Sequence, residues 1–163
     1  MGTEIDKIID AVIKAEGGSK ATNDPVDKGG RTQYGISEKS NPEAWADDKV
    51  TEEEARAIYR NKYLDGPGFS RLLDHRLQRF LVDWGVISGP DIVIKYLQRA
   101  IGVKDDGVIG DKTTERANSL DAGVLVNKLI DERIKMMCRI VQKTPSQLKY
   151  LMGWVNRALE FRA

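Results

Sequence analysis

The sequence predicts a mostly α-helical α+β domain with one small β-hairpin. Apolar residues recur at helical spacing through most of the chain, and a single stretch behind a Gly-Gly pair alternates instead. With 163 residues, 40% hydrophobic and 31% charged, the chain suits one core better than two full-sized domains.

The first helix is expected over residues 4–15, where Ile5, Ile8, Ile9, Val12 and Ile13 make the stripe of a helix with one buried face. Thr3 suits its N-cap and Gly17 its stop. From 19 to 30 the composition turns to Ser, Asn, Asp, Pro and Gly, which reads as a loop, and residues 31–37 read as the hairpin. After the loop SNPEAWADDK, the run VTEEEARAIYRNKYL carries Thr51 and Glu54 in capping-box spacing and is helical until Asp65-Gly66-Pro67-Gly68. FSRLLDHRLQRFLVDWGVI is the next helix, with Leu73, Leu77, Phe80, Leu81 and Trp84 apolar. Ser88-Gly89-Pro90 then breaks the chain, and Pro90 suits the first turn of IVIKYLQRAIG. Three more helices are expected, over 112–119 with Asp111 as N-cap, 122–143, and 145–161 started by Thr144-Pro145.

The charge balance excludes several classes of function. Lysine plus arginine number 26 against 25 aspartates and glutamates, so no polyanionic partner is advertised and nucleic acid is not expected. The single cysteine, Cys138, lies in the helical run IKMMCRIV and is expected to be a buried, unreactive thiol. His75 is the only histidine, so no zinc cluster can form; neither metal nor cofactor is expected, and His75 reads as a polar helix residue. MGTEIDKII has neither the basic nor the apolar region of a secretory signal, which makes the cytoplasm the expected location. Asp6 stands where a myristoylation motif following Gly2 needs Ser or Thr, and no apolar run approaches a membrane span, so stable membrane insertion is not expected.

The stretch EGGSKATNDPVDKGGRTQYGIS, residues 16–37, concentrates the chemistry. Continuing the stripe of Ile9, Val12 and Ile13, Glu16 is expected on the buried face, at the negative end of the helix dipole. Burial and that dipole both penalise the charged form, which would leave an acid still holding its proton near neutrality, the requirement for general acid catalysis. Asp24 and Asp27 follow in a polar loop where they should stay ionised, and Thr32 offers a hydroxyl that could hold a water. Two carboxylates in contrasting environments are what glycoside cleavage uses. The same residue types allow a second reading, in which Glu16 pairs with an arginine such as Arg79 or Arg157 and the aspartates form ordinary turns.

This stretch resembles the N-terminal motif of glycoside hydrolase family 108: Glu-Gly-Gly, then Asn-Asp-Pro and Asp, then Gly-Gly-x-Thr and Tyr-Gly-Ile. YRNKYLDG is similar to that family's tyrosine-rich helix end, and FLVDWGVISGP to its Phe-Asp-x-x-Val-Asn-x-Gly segment, with Asp83 standing where the family often has Asn. IKYLQRAIGVKDDGVIGDKTTERA is similar to the peptidoglycan-binding-type segment that closes these proteins. The resemblance implies a lysozyme-like domain over 1–163, with a catalytic-motif half, 1–88, and a peptidoglycan-binding-type helical half, 89–163, packed on it. It implies a muramidase cleaving the β-1,4 bond between N-acetylmuramic acid and N-acetylglucosamine in bacterial peptidoglycan. Glu16 takes the place of the catalytic acid, and likeness to phage lysozymes gives Asp27 and Thr32 the second and third roles, with Asp24 competing for that of Asp27. Asp24, Gln33, Tyr34 and Trp84 are the expected substrate contacts. A monomeric phage endolysin is expected, held in the host bacterial cytoplasm until release to the cell wall or periplasm. A lytic transglycosylase and a non-catalytic wall-binding protein are the alternatives.

Trp84, Tyr34, Tyr63 and Trp154 could each stack on a sugar or fill a core; Tyr34, beside Thr32, is the best sugar candidate, and Trp154 reads as core. KDDGVIGDKTTE lacks the acidic spacing of a calcium loop and reads as a turn. Arg133, Lys135 and Arg139 read as a solvated helix face that could favour an anionic envelope.

Overall fold

The computed structural model describes residues 3–22 and 30–162. The chain forms two compact units, Met1–Gly66 and Pro67–Ala163.

In the first unit, α1 (Glu4–Ala15) starts with a capping box between Thr3 and Asp6 and buries Ile8, Ile9, Val12 and Ile13. It ends in a Schellman motif, with Gly18 N–H donating to Ile13 O at 2.9 Å and Gly17 at φ +103°, the left-handed position that glycine fills without cost. The strands β1 (Thr32–Gln33) and β2 (Ile36–Ser37) pair antiparallel, Gln33 opposite Ile36. Their two-residue turn, Tyr34-Gly35, has positive φ at both positions, as a type I′ turn requires. A short 3₁₀ turn, Pro42–Trp45, precedes α2 (Glu52–Arg60), whose Thr51–Glu54 capping box forms as expected. The expected helix does not stay α to Leu64: Asn61–Asp65 widens into a π turn, with Gly66 N–H on Asn61 O at 2.8 Å. Trp45, Val50, Ala55, Tyr59 and Leu64 complete the core of this unit.

The second unit is helical. The helix expected from Phe69 begins later, as α3 (His75–Ser88), after a 3₁₀ turn at Phe69–Arg71. Asp74 stops any earlier start by capping the N–H groups of Arg76 and Leu77 at 2.9 and 3.0 Å, which leaves Leu73 77% exposed. The remaining helices are α4 (Pro90–Ile101), opened by Pro90, α5 (Asp111–Asn118), α6 (Ala122–Lys143) and α7 (Leu148–Leu159). Asp111 is the first residue of α5 and not its cap, and Pro145–Gln147 is a 3₁₀ turn ahead of α7. Helices α3, α4 and α6 pack on one another, and α7 packs on α6. The run KDDGVIGDKTTE, expected as a turn, is organised by buried Gln98, whose Oε1 accepts from Gly107 N–H and whose Nε2 reaches Asp106, Val108 O and Thr113. Among the described residues no helix is long and apolar enough to cross a membrane.

Two expectations about α6 are corrected. Cys138 is exposed, because Leu129, Ile130, Arg133 and Met137 define its inner face and Cys138 falls one step off it. Arg133 is 1% exposed, so only Lys135 and Arg139 remain as a solvated face.

Candidate active site

Glu16 is the residue at which α1 ends. Its backbone, at φ −84° and ψ 9°, is the helix C-cap, and its N–H still bonds Val12 O at 3.0 Å. The side chain is exposed, not buried as the stripe suggested. The apolar face closes with Val12 and Ile13, and the Schellman turn carries the chain away before Glu16 can join it. The burial expected of it is therefore absent.

The hairpin turn lies against this helix end. A Cβ on Gly35 would lie 2.9 Å from Glu16 Cβ and would overlap the hydroxyl of Tyr59, so only glycine permits this approach. Tyr59, 4% exposed on α2, donates its hydroxyl to Tyr34 O at 2.8 Å and so ties the turn to the helix. Burial first, and then the negative charge of Glu16, push the Tyr59 hydroxyl well above its ordinary value. Tyr63 stacks on Tyr59 with ring centroids 5.9 Å apart.

Thr32 lies in the middle of the small sheet. One side pairs with Ser37; on the other, its N–H and C=O exchange hydrogen bonds with Thr22 at 2.9 and 2.8 Å. Asp24 and Asp27 lie outside the described residues, between these two threonines in sequence. Gln33 supports the backbone, since its Oε1 accepts from Val50 N–H at 3.1 Å and holds the start of α2. Tyr34 is half-buried in the turn at φ +52°.

Trp84 does not face a sugar. It is 0% exposed on α3, packed on Tyr96 and Phe80 with ring centroids 5.0 and 5.7 Å away. Trp154, read as core, is half-buried and stacked on Tyr150 at 6.0 Å. Both arginines considered as partners for Glu16 have companions within the second unit. Arg157 donates from Nε and Nη2 to Asp83 Oδ1 at 3.0 and 2.8 Å, while Arg79 lies over the Phe161 ring at 5.1 Å. Asp83 also accepts from Arg133 Nη1 at 2.9 Å, which gives the aspartate at this position its reason: an asparagine would neutralise neither cation. Sequence reasoning missed Tyr59 as a support of the turn. The pair of tyrosines in YRNKYLDG was its only trace.

Residues 9–89 match the family model described as Glycosyl hydrolase 108, and residues 92–159 match one described as Predicted Peptidoglycan domain. Among solved structures the chain is similar to Brucella abortus SagA, at 29% identity and a TM-score of 0.68, over 96% of this chain and 94% of that one. No curated protein matches the chain. The fold class is the lysozyme-like, mostly helical one with a small antiparallel hairpin.

Proposed function

We propose, for a chain whose residues 9–89 match the glycosyl hydrolase 108 model and whose residues 92–159 match a peptidoglycan domain, and which is on that account a peptidoglycan hydrolase, the bond cleaved and the residues that cleave it. The bond is the β-1,4 link from N-acetylmuramic acid to N-acetylglucosamine. Glu16 donates its proton to the bridging oxygen, and N-acetylglucosamine leaves with it. Asp27, with Asp24 as competitor, stabilises the positive charge that develops at the muramic acid C1. Thr32 holds the water whose oxygen joins C1, and the surplus proton passes to a carboxylate.

The observation that carries this reading is the seat of Glu16. It is an exposed acid at a helix end, fixed by a turn that tolerates no side chain at Gly35 and by a buried tyrosine. An accessible side chain held against a close-packed turn is what a proton donor to a bulky polymer needs. Thr32 supports the same reading, since both of its strand edges are hydrogen-bonded or paired. A monomeric phage endolysin, held in the host cytoplasm until release to the wall, is part of this proposal.

Digestion of purified peptidoglycan followed by mass analysis of the released muropeptides tests it. Free reducing ends on N-acetylmuramic acid are expected. Predominant 1,6-anhydro products would make the protein a lytic transglycosylase, and reducing ends on N-acetylglucosamine would move the cut to the other glycosidic bond.

A further inference from the structure

The second unit contains an arginine whose environment the hydrolase chemistry does not use. Arg133 is 1% exposed in the middle of α6, and only its Nη1 has a carboxylate partner, Asp83. Its Nε and Nη2 find no acceptor among the described residues; Phe80 and Trp84 offer ring faces at 5.7 and 5.9 Å instead. Asp83 is shared with Arg157, so among the described residues one negative charge answers two positive ones. Burying a cation with unmet donors costs free energy, and that cost falls when an anion completes the cluster.

A groove of about 450 Å³ opens on this cluster, lined by both arginines. Its walls are apolar: Ile92 from α4, Met136 and Ile140 from α6 and Trp154 from α7, with Ser88 the one uncharged polar side chain. Ile92 is 47% and Ile140 39% exposed, which leaves the mouth open to solvent. Arg157, with a third of its side chain exposed, is the cation that a ligand reaches first.

We infer that this groove binds the carboxylate-bearing peptide stem of peptidoglycan, its aliphatic side chains on the Ile92–Met136–Ile140–Trp154 walls and its carboxylate on Arg157 above Arg133. A neutral sugar is a poor occupant, because its ring of hydroxyls needs more polar partners than Ser88 and two arginines supply. A short aliphatic peptide with a free carboxylate satisfies both the walls and the surplus charge. Of the lining residues all but Ile87 and Ser88 fall within 92–159, the peptidoglycan match, and the inference rests on peptidoglycan as substrate.

The test uses the full chain carrying Glu16→Gln, so that ligand is not consumed, and calorimetric titration with three probes: a muramyl tetrapeptide, the same compound with its carboxylates amidated, and stem-free glycan. The free-acid stem is expected to bind most tightly, with amidation, Arg157→Gln and the surface change Ile92→Glu each weakening it by about tenfold or more. Arg157→Gln leaves Asp83 paired with Arg133, and Ile92→Glu alters a half-exposed wall, so both variants should stay folded. Stem binding unchanged by both variants, or stem-free glycan bound as tightly as the stem, overturns the inference. Hydrolysis of intact peptidoglycan by the wild type reports separately on the proposed function. Cleavage without a groove effect removes only the groove, and stem binding without cleavage removes only the proposed chemistry.

Discussion

The two units stabilise their polar groups in different ways. In Met1–Gly66 the order comes largely from local devices, two capping boxes, a Schellman stop and a two-residue hairpin turn, with one longer tie from the Tyr59 hydroxyl to the Tyr34 carbonyl. Glu16, the candidate acid, is left in water. In Pro67–Ala163 the order comes from long-range burial, with Phe80, Leu81, Trp84, Leu97, Leu129 and Ile130 all below 2% exposure and an Asp83–Arg133–Arg157 cluster joining three helices. A side chain left in water needs no charged companion. A buried charge, by contrast, needs companions from distant parts of the chain.

The largest effect expected is on chemistry alone. Glu16→Gln keeps the side chain's shape at an exposed site and should lower hydrolysis about a hundredfold to ten-thousandfold, with an unchanged melting temperature. Wild-type lysis by this variant would remove Glu16 from the mechanism, and a large drop in melting temperature would show that the first unit depends on that charge after all.

Asp83→Ala should act on stability instead, because it strands two guanidiniums, one of them 1% exposed. A loss of about 3–5 kcal/mol is expected. Hydrogen exchange should accelerate in α6 and α3. Unchanged protection there would mean that the cluster does not hold the second unit together.

Gly35→Ala tests the first unit's local logic. The new methyl meets Tyr59 and Glu16 at a backbone with φ +74°, so a loss of about 1–3 kcal/mol is expected, together with a fall in hydrolysis. A variant that is as stable and active as the wild type would show that the turn can shift away from Glu16 freely.

The smallest effect is alkaline. Burial, and then Glu16, raise the Tyr59 hydroxyl above its ordinary 10.0, so the folded state keeps a proton that the unfolded chain releases. The resulting stability is complete below about pH 10 and is lost as pH rises toward the folded value. Tyr59→Phe should flatten that alkaline limb while costing about 0.5–1.5 kcal/mol at neutral pH through the lost bond to Tyr34 O. Parallel urea titrations of the two proteins from pH 8 to about 11 read the difference, and identical slopes would contradict the placement of Tyr59.

What short-range physics controls was legible in the order of residues alone. Helical stripes, both capping boxes, Pro90 at a helix start, Gly17 at a helix stop and the hairpin at 31–37 could be read because each depends on residues within a few positions of one another. The type and order of the candidate site residues were legible for the same reason. Where side chains ended up was settled by packing between distant segments. Glu16 is the exception, since the turn at Gly17 beside it took it off the buried face, whereas Trp84 became core because Tyr96 on the next helix closes over it together with Phe80. Arg133 went inside because Asp83, fifty positions away, meets it there. Periodicity gives the direction in which a side chain leaves its helix, but burial and charge pairing depend on what another helix brings to that face, and the spacing within one helix carries no record of it.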